Sequence, residues 1–209
     1  MKKRNIIRIS VQILFFVLFT IIMLNGKMVL WLALYAFSVA SSFIFGRYFC
    51  SYVCPMNSAM GLSNRLKKKD TTKKIINLKL AAFIPFLSLI ATVLIMAITK
   101  KQFKLNIPLL LIYVPLSFLY ALLFSSSLWH NYLCPYSILL KLGGSHSLYQ
   151  YRVDESSCIG CKKCLKACKV GAMSFNSETK KALINPTLCH VCGDCADVCN
   201  VRAISYSKK

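Results

Sequence analysis

The sequence predicts an α-helical membrane anchor of four transmembrane helices, arranged as two hairpins, followed by a small α+β domain. Three observations carry this prediction. The first 140 of the 209 residues hold four long apolar stretches with charges clustered between them. Beyond residue 150 the charges are spread densely. The C-terminal stretch writes one cysteine pattern twice, C-I-G-C-K-K-C-L-K-A-C from Cys158 to Cys168 and C-H-V-C-G-D-C-A-D-V-C from Cys189 to Cys199. We divide the chain into a membrane domain over 1–140, a linker over 141–152 and a cysteine-rich domain over 153–209.

The composition is 56% hydrophobic, with a mean hydropathy of +0.56, which is too apolar for a soluble chain of this size. A basic head (Lys2, Lys3, Arg4, Arg8) precedes the first apolar run, Ile9 to Leu24. No small-residue cleavage site follows it, and the next segment is again apolar, so it reads as a retained helix rather than a signal peptide. Asn25-Gly26-Lys27 makes a turn, and Met28 to Gly46 is uncharged and long enough to span. Arg47 to Lys79 reads as a basic loop. Leu80 to Ile98, with Pro85, and Ile107 to Leu128, with Pro108 and Pro115, complete the set. Proline is tolerable in a span because neighbours re-satisfy the freed carbonyl.

The 27 Lys and Arg against 6 Asp and Glu give a net charge of +21. The basic residues flank apolar spans and line no reading module, which favours anionic lipid or an acidic protein and argues against nucleic acid. The head, the long loop and the C-terminal region carry most of them, and the other two links carry only Lys27 and Lys100, Lys101 and Lys104. The positive-inside rule then places both termini, the long loop and the cysteine-rich domain in the cytoplasm, on the reducing side of a bacterial-type inner membrane.

Each cysteine run has the spacing C-x2-C-x2-C-x3-C, the bacterial two-cluster iron–sulfur pattern in which the fourth cysteine of one run serves the other cluster. On that rule Cys158, Cys161, Cys164 and Cys199 hold one [4Fe-4S] cluster, and Cys168, Cys189, Cys192 and Cys195 hold the second. Structural zinc fits poorly, since its ligand pairs are separated by longer gaps. The proline usual after the fourth cysteine is replaced by Lys169 and Asn200. V-G-A-M-S-F (Val170–Phe175) maps onto V-R-A-I-S-Y (Val201–Tyr206), so each 31-residue unit predicts a cysteine loop, a short helix and a strand, with Ala182–Ile184 returning. The whole reads as a small α+β bacterial two-[4Fe-4S] ferredoxin domain. Lys141–Tyr151 reads as its linker, made flexible by Gly143-Gly144, with His146 in solvent. Lys162, Lys163, Lys166 and Lys169 form a basic face beside the first run, and His190 reads as exposed packing beside the second.

A second repeat closes spans two and four. R-Y-F-C-S-Y-V-C-P (Arg47–Pro55) and L-W-H-N-Y-L-C-P (Leu128–Pro135) each end in [C/H]-x3-C-P. On a helix the i, i+4 spacing puts Cys50 with Cys54 and His130 with Cys134 on one face, whereas the following proline favours a turn. The set reads three ways: four ligands of a metal or further iron–sulfur cluster, a Cys50/Cys54 dithiol, or inert buried thiols.

These motifs, four spans and a terminal two-cluster domain resemble the NapH-like membrane polyferredoxin family, related to NosR and CcoG. Its members carry two C-x3-C-P motifs, so His130 stands where the family has cysteine. The resemblance implies electron transfer between the quinone pool or cytosolic carriers and a membrane or periplasmic acceptor. The leading expectation is a membrane-anchored relay of single electrons, fed by a cytosolic ferredoxin- or flavodoxin-like donor or by quinone, toward a membrane or periplasmic reductase. Two alternatives stand beside it: a quinol dehydrogenase subunit, and an assembly or regulatory factor that reduces or handles a metal. Haem, nucleotide-phosphate and dinucleotide motifs are absent from the sequence.

Overall fold

The computed structural model describes residues 2–66, 84–103 and 109–209. Most of the basic stretch after Leu66 and the first residues of the third and fourth predicted spans lie outside them.

Helices α1 (Lys2–Leu24) and α2 (Met28–Phe45) match the first two predicted spans and are joined by a turn with Gly26 at φ 67°. Over Arg4–Leu24 and Met28–Phe45 both are long and apolar enough to cross a membrane. Their outward side chains, among them Leu14, Val17, Val29 and Phe37, are apolar and exposed. Helix α5 (Ile84–Phe103) covers the rest of the third span. Helix α6 (Leu109–Leu123) keeps Pro115 inside it and stops short of the expected Leu128. The three serines at 125–127 explain the stop, since their hydroxyls compete for backbone partners. Ser125 instead caps a single turn, α7 (Ser126–Leu128), by accepting from the Ser127 N–H.

The structure corrects the sequence reading in two places here. The expected basic loop begins with two helices, α3 (Tyr48–Tyr52) and α4 (Pro55–Leu66). Pro55 starts α4, where its missing N–H costs nothing. Helix α4 packs against α6 and α1. The expected flexible linker is instead helix α8 (Ser137–Ser145), packed on α2, followed by a strand. Gly143 and Gly144 serve contact rather than flexibility: a Cβ on Gly143 would lie 1.7 Å from Ser42 Oγ, and one on Gly144 2.8 Å from Arg47 Cγ.

The cysteine-rich half carries two antiparallel ribbons. Strand β1 (Tyr149–Val153) pairs with β4 (Ile204–Lys208), and β2 (Met173–Asn176) with β3 (Lys181–Ile184). Short helices α9 (Lys163–Ala167) and α10 (Asp194–Asp197) follow the cysteine loops. The duplication reaches the backbone: left-handed Gly160, Lys162 and Gly171 recur one repeat later as left-handed Val191, Gly193 and Arg202. Valine rarely adopts that conformation, so the loop closure imposes it at Val191.

Two cores result. One gathers Phe19, Trp31, Tyr35, Phe49 and Tyr136 with Cys50, Cys54 and Cys134. The other is small, with Cys164, Ala182, Cys195 and Ile204 at its centre. The halves are held together at α10, where Arg4 pairs with Asp197 at 2.5 Å and Arg8 with Asp194 at 2.6 Å. Arg4 also donates to the Gly193 carbonyl, and the Tyr206 hydroxyl donates to the Phe45 carbonyl at 3.0 Å.

Candidate iron–sulfur centres

The left-handed residues between the cysteines turn each loop around an enclosed space. In the first, one cavity is lined by Cys158, Cys161, Cys164 and Cys199, with Val153, Ala182 and Ile204 among its apolar walls. Three of these cysteines come from the first run and one from the second, which is the crossed set that the spacing rule demands. In the second, Cys168, Cys189, Cys192 and Cys195 converge. Burial first, and then Cys192, Cys189 and Cys168 in turn, push the Cys195 thiol up to about 12. The Ala172 N–H donates to Cys168 Sγ at 3.2 Å and the Val191 N–H to Cys189 Sγ at 3.4 Å. Such donors stabilise thiolates and tune a bound cluster. Both sets therefore fit a four-thiolate cluster. Cys161 is exposed, whereas the backbone of Cys192 accepts a hydrogen bond from Arg8 at the head of α1. Lys162, Lys163, Lys166 and Lys169 are exposed.

The three cysteines of the [C/H]-x3-C-P motifs share one core cluster, and His130 lies at the seam between the halves. Cys50 lies in α3, and Cys54 lies beyond its end, just before Pro55. His130 lies in a π-helical turn (Trp129–Leu133), and Cys134 follows it in extended backbone. Neither pair shares one continuous helix, because each proline forces the preceding cysteine out of helical geometry. All four are buried. Burial pushes the Cys134 thiol up to about 12, with Cys50 adding to the rise. Cys54 is raised by burial and then by Cys134 and Cys50. The three thiols thus lie within electrostatic reach of one another. His130 stands against His190, with ring centroids 4.5 Å apart.

Among the described residues no three His, Cys, Asp or Glu side chains close on a single metal ion. That holds for the ferredoxin cysteines too, since a cluster spaces its ligands wider than one ion does.

Two residues at this seam escaped the sequence reading. His190 is buried, 2% exposed, and Nε2 has no hydrogen-bond partner among the described residues. This corrects the exposed placement, and the cause is that the second cysteine loop docks on α3, where Ser51 Oγ donates to the His190 carbonyl at 2.8 Å. Arg47 is 1% exposed and donates to the Thr187 carbonyl at 2.8 Å. Its place at the head of R-Y-F-C-S-Y-V-C-P was the only sequence signal. A cavity of about 390 Å³ opens beside the seam, lined by Gln12, Phe16, Asn57, His130, His190 and Cys192 among others.

Comparison with known proteins points to the same cofactor. Residues 28–73 match a 4Fe-4S binding domain, a stretch containing Cys50 and Cys54, and residues 157–203 match a 4Fe-4S dicluster domain. An uncharacterised protein of Methanocaldococcus jannaschii is 29% identical over 179 residues, covering 81% of this chain and 68% of its own length. The methylamine utilization ferredoxin-type protein MauN of Methylobacillus flagellatus is 28% identical, covering 69% of this chain and 56% of its own. The ferredoxin-type protein NapH of Haemophilus influenzae is 24% identical, covering 78% and 63%. This chain thus spans less than two thirds of the latter two. No solved structure matches it. With two [4Fe-4S] binding domains and these relatives, the chain is similar to the NapH-like, ferredoxin-type electron-transport proteins.

Proposed function

We propose that the protein is a membrane-anchored relay that passes single electrons from an outer cluster, through an inner cluster, to a third station at the membrane surface. Cys158, Cys161, Cys164 and Cys199 hold the outer cluster, and Cys168, Cys189, Cys192 and Cys195 the inner one. Cys50, Cys54, His130 and Cys134 form the third station. Four spans in two hairpins carry it, with both termini and the ferredoxin domain in the cytoplasm.

One observation carries this reading. The second cysteine run is clamped to the head of α1 by Arg4–Asp197 and Arg8–Asp194, while the exposed Cys161 lies in the other run among lysines. A fixed inner end and an exposed basic outer end are what a relay needs. Bound clusters supply one-electron chemistry, and the chain's own residues hold, insulate and orient them. The basic face beside Cys161 suits an acidic donor such as a cytosolic ferredoxin or flavodoxin. The acceptor is a membrane or periplasmic reductase.

The test is anaerobic purification in detergent with Cys199→Ser and Cys168→Ser. Cys199→Ser should perturb the cluster of the first run and Cys168→Ser that of the second, read by iron content and paramagnetic resonance. A loss confined to each residue's own run would overturn the crossed assignment. Failure of a reduced acidic carrier to bleach the visible absorption would overturn the donor side.

A second reading, quinol oxidation, has its own observation. The cavity beside α1 brings apolar Phe16 and Ile13 together with His130, His190 and Cys192 of the second run. A lipid-soluble carrier entering there would meet a redox centre and two imidazoles at once. Bleaching by a quinol analogue with no soluble carrier present would favour it.

A further inference from the structure

Arg47 is sealed between α2, α8 and the second cysteine run. Its guanidinium donates to the Thr187 carbonyl and reaches Ser137 Oγ at 3.4 Å and Cys50 Sγ at 3.8 Å, while Nε finds no partner among the described residues. The ion pairs found among the described residues are Arg4–Asp197 and Arg8–Asp194, and neither involves Arg47. Among the described residues the ionisable groups that sense Arg47 include Cys50, Cys134, Cys189, Tyr35, His130, His190 and Lys141, and no described carboxylate is among them. A buried cation with no carboxylate beside it among the described residues is unfavourable, and one carbonyl with one hydroxyl offsets only part of that. The neighbours able to supply negative charge are thiols.

We propose that Arg47 is the counter-charge of a [4Fe-4S] cluster held by Cys50, Cys54 and Cys134 with His130 as its neutral fourth ligand, and that it holds this station at a higher potential than the two ferredoxin clusters. The inference rests on the third-station reading above. The charges support it. An oxidised [4Fe-4S] core carries two positive charges, so four thiolates leave two negative charges over. Three thiolates and an imidazole leave one, which a single guanidinium balances. Reduction adds an electron to each cluster, and that step is easier beside a cation and with one thiolate fewer. Imidazole in place of thiolate raises the potential of Rieske centres for the same reason. His130 and Arg47 then act together. The Thr187 contact ties the guanidinium to the loop that begins the second run, two residues before Cys189.

The experiment is iron analysis followed by a redox titration, monitored by paramagnetic resonance, of the full chain in detergent. The wild type should hold about twelve irons rather than about eight, with three reducible centres. Cys134→Ser should remove the centre of highest potential. Arg47→Met should lower that centre's potential the most, with the other two centres still present and the inner one shifted less, whereas Arg47→Lys should keep it high. Should Arg47→Met not fold, His130→Cys serves: it adds a thiolate and should shift the same centre downward. About eight irons in the wild type would overturn the third-station reading and this inference with it. Three centres whose highest potential ignores both Arg47→Met and His130→Cys would leave the station standing and overturn the role of Arg47.

Discussion

The imidazole of His190 stands edge-on to that of His130 across the seam, at 4.5 Å between ring centroids and 87° between planes. One residue comes from the second cysteine run and the other from the π-helical turn after α6 and α7. Both are buried, and burial, then His130, Arg47 and Lys141, hold His190 well below its ordinary pKa. The folded state therefore keeps this ring neutral, while the unfolded chain takes up a proton below about pH 6.5. The stabilisation is fully present above that pH and is lost as pH falls below it. Unfolding of the holoprotein should come at lower temperature at pH 5.5 than at pH 7.5. His190→Phe, which cannot titrate, should lose less over the same interval. An equal loss in both proteins would show that other groups set the acid sensitivity.

The clamp on α10 is partly buried, with side-chain exposures of 16% for Arg8 and 21% for Asp194. Charged hydrogen bonds in such places are worth about 1.5–3 kcal/mol, well above an exposed pair. Asp194→Asn should loosen the ferredoxin half from the membrane half, raising amide exchange in the second cysteine loop while leaving β2 and β3 protected. Arg8→Asp combined with Asp194→Arg should recover part of the protection. Uniform protection across all variants would remove the clamp from the relay's architecture.

Close approach of α8 to α2 depends on the missing Cβ at 143. Gly143→Ala would put a methyl carbon 1.7 Å from Ser42 Oγ, on a serine that is itself fully buried. Overpacking of this kind costs about 1–3 kcal/mol. Ser42→Gly in the same chain removes the two nearest colliding atoms and should restore most of the loss in thermal unfolding. Additive losses in the double variant would mean that the two helices do not meet here.

The contrast between these sites shows what could be read from residue order. Cysteine spacing announces the clusters because thiolate geometry fixes it locally, and the 31-residue repeat carries its left-handed positions along with it. The two N-terminal helices are equally plain, since a long uncharged run needs no partner to be recognised. The end of helix α8 reads as a linker in sequence because two adjacent glycines look the same whether they loosen a chain or let helices touch. Arg47 and His190 look like surface residues until the domain docks over them. Their burial is a property of the seam, and seams between elements far apart in sequence leave no local pattern.

The ferredoxin half has few means of stability besides its clusters. Its main apolar cluster is Ala182 and Ile204 with two of the cysteines, its other buried apolar side chains are the small Val170, Ala172 and Ala203, and its strands form two-stranded ribbons. Ribbons of that size are marginal in water, and metal binding supplies folding free energy where ligands lie far apart in the chain. The repeat sharpens the point at Gly160, where φ is +68° and a Cβ would fall 2.4 Å from the Lys180 carbonyl oxygen. Its counterpart Val191 carries a full side chain at nearly the same φ, so the carbonyl above the first loop is the difference between them. Gly160→Ala should speed iron loss from the outer cluster to a chelator several-fold and leave the inner cluster's rate alone. Complete iron removal should then abolish the strand signal of β1–β4 in far-ultraviolet circular dichroism while the signal of α1 and α2 persists. Retention of the strands in the iron-free protein would show that the small core suffices without the clusters.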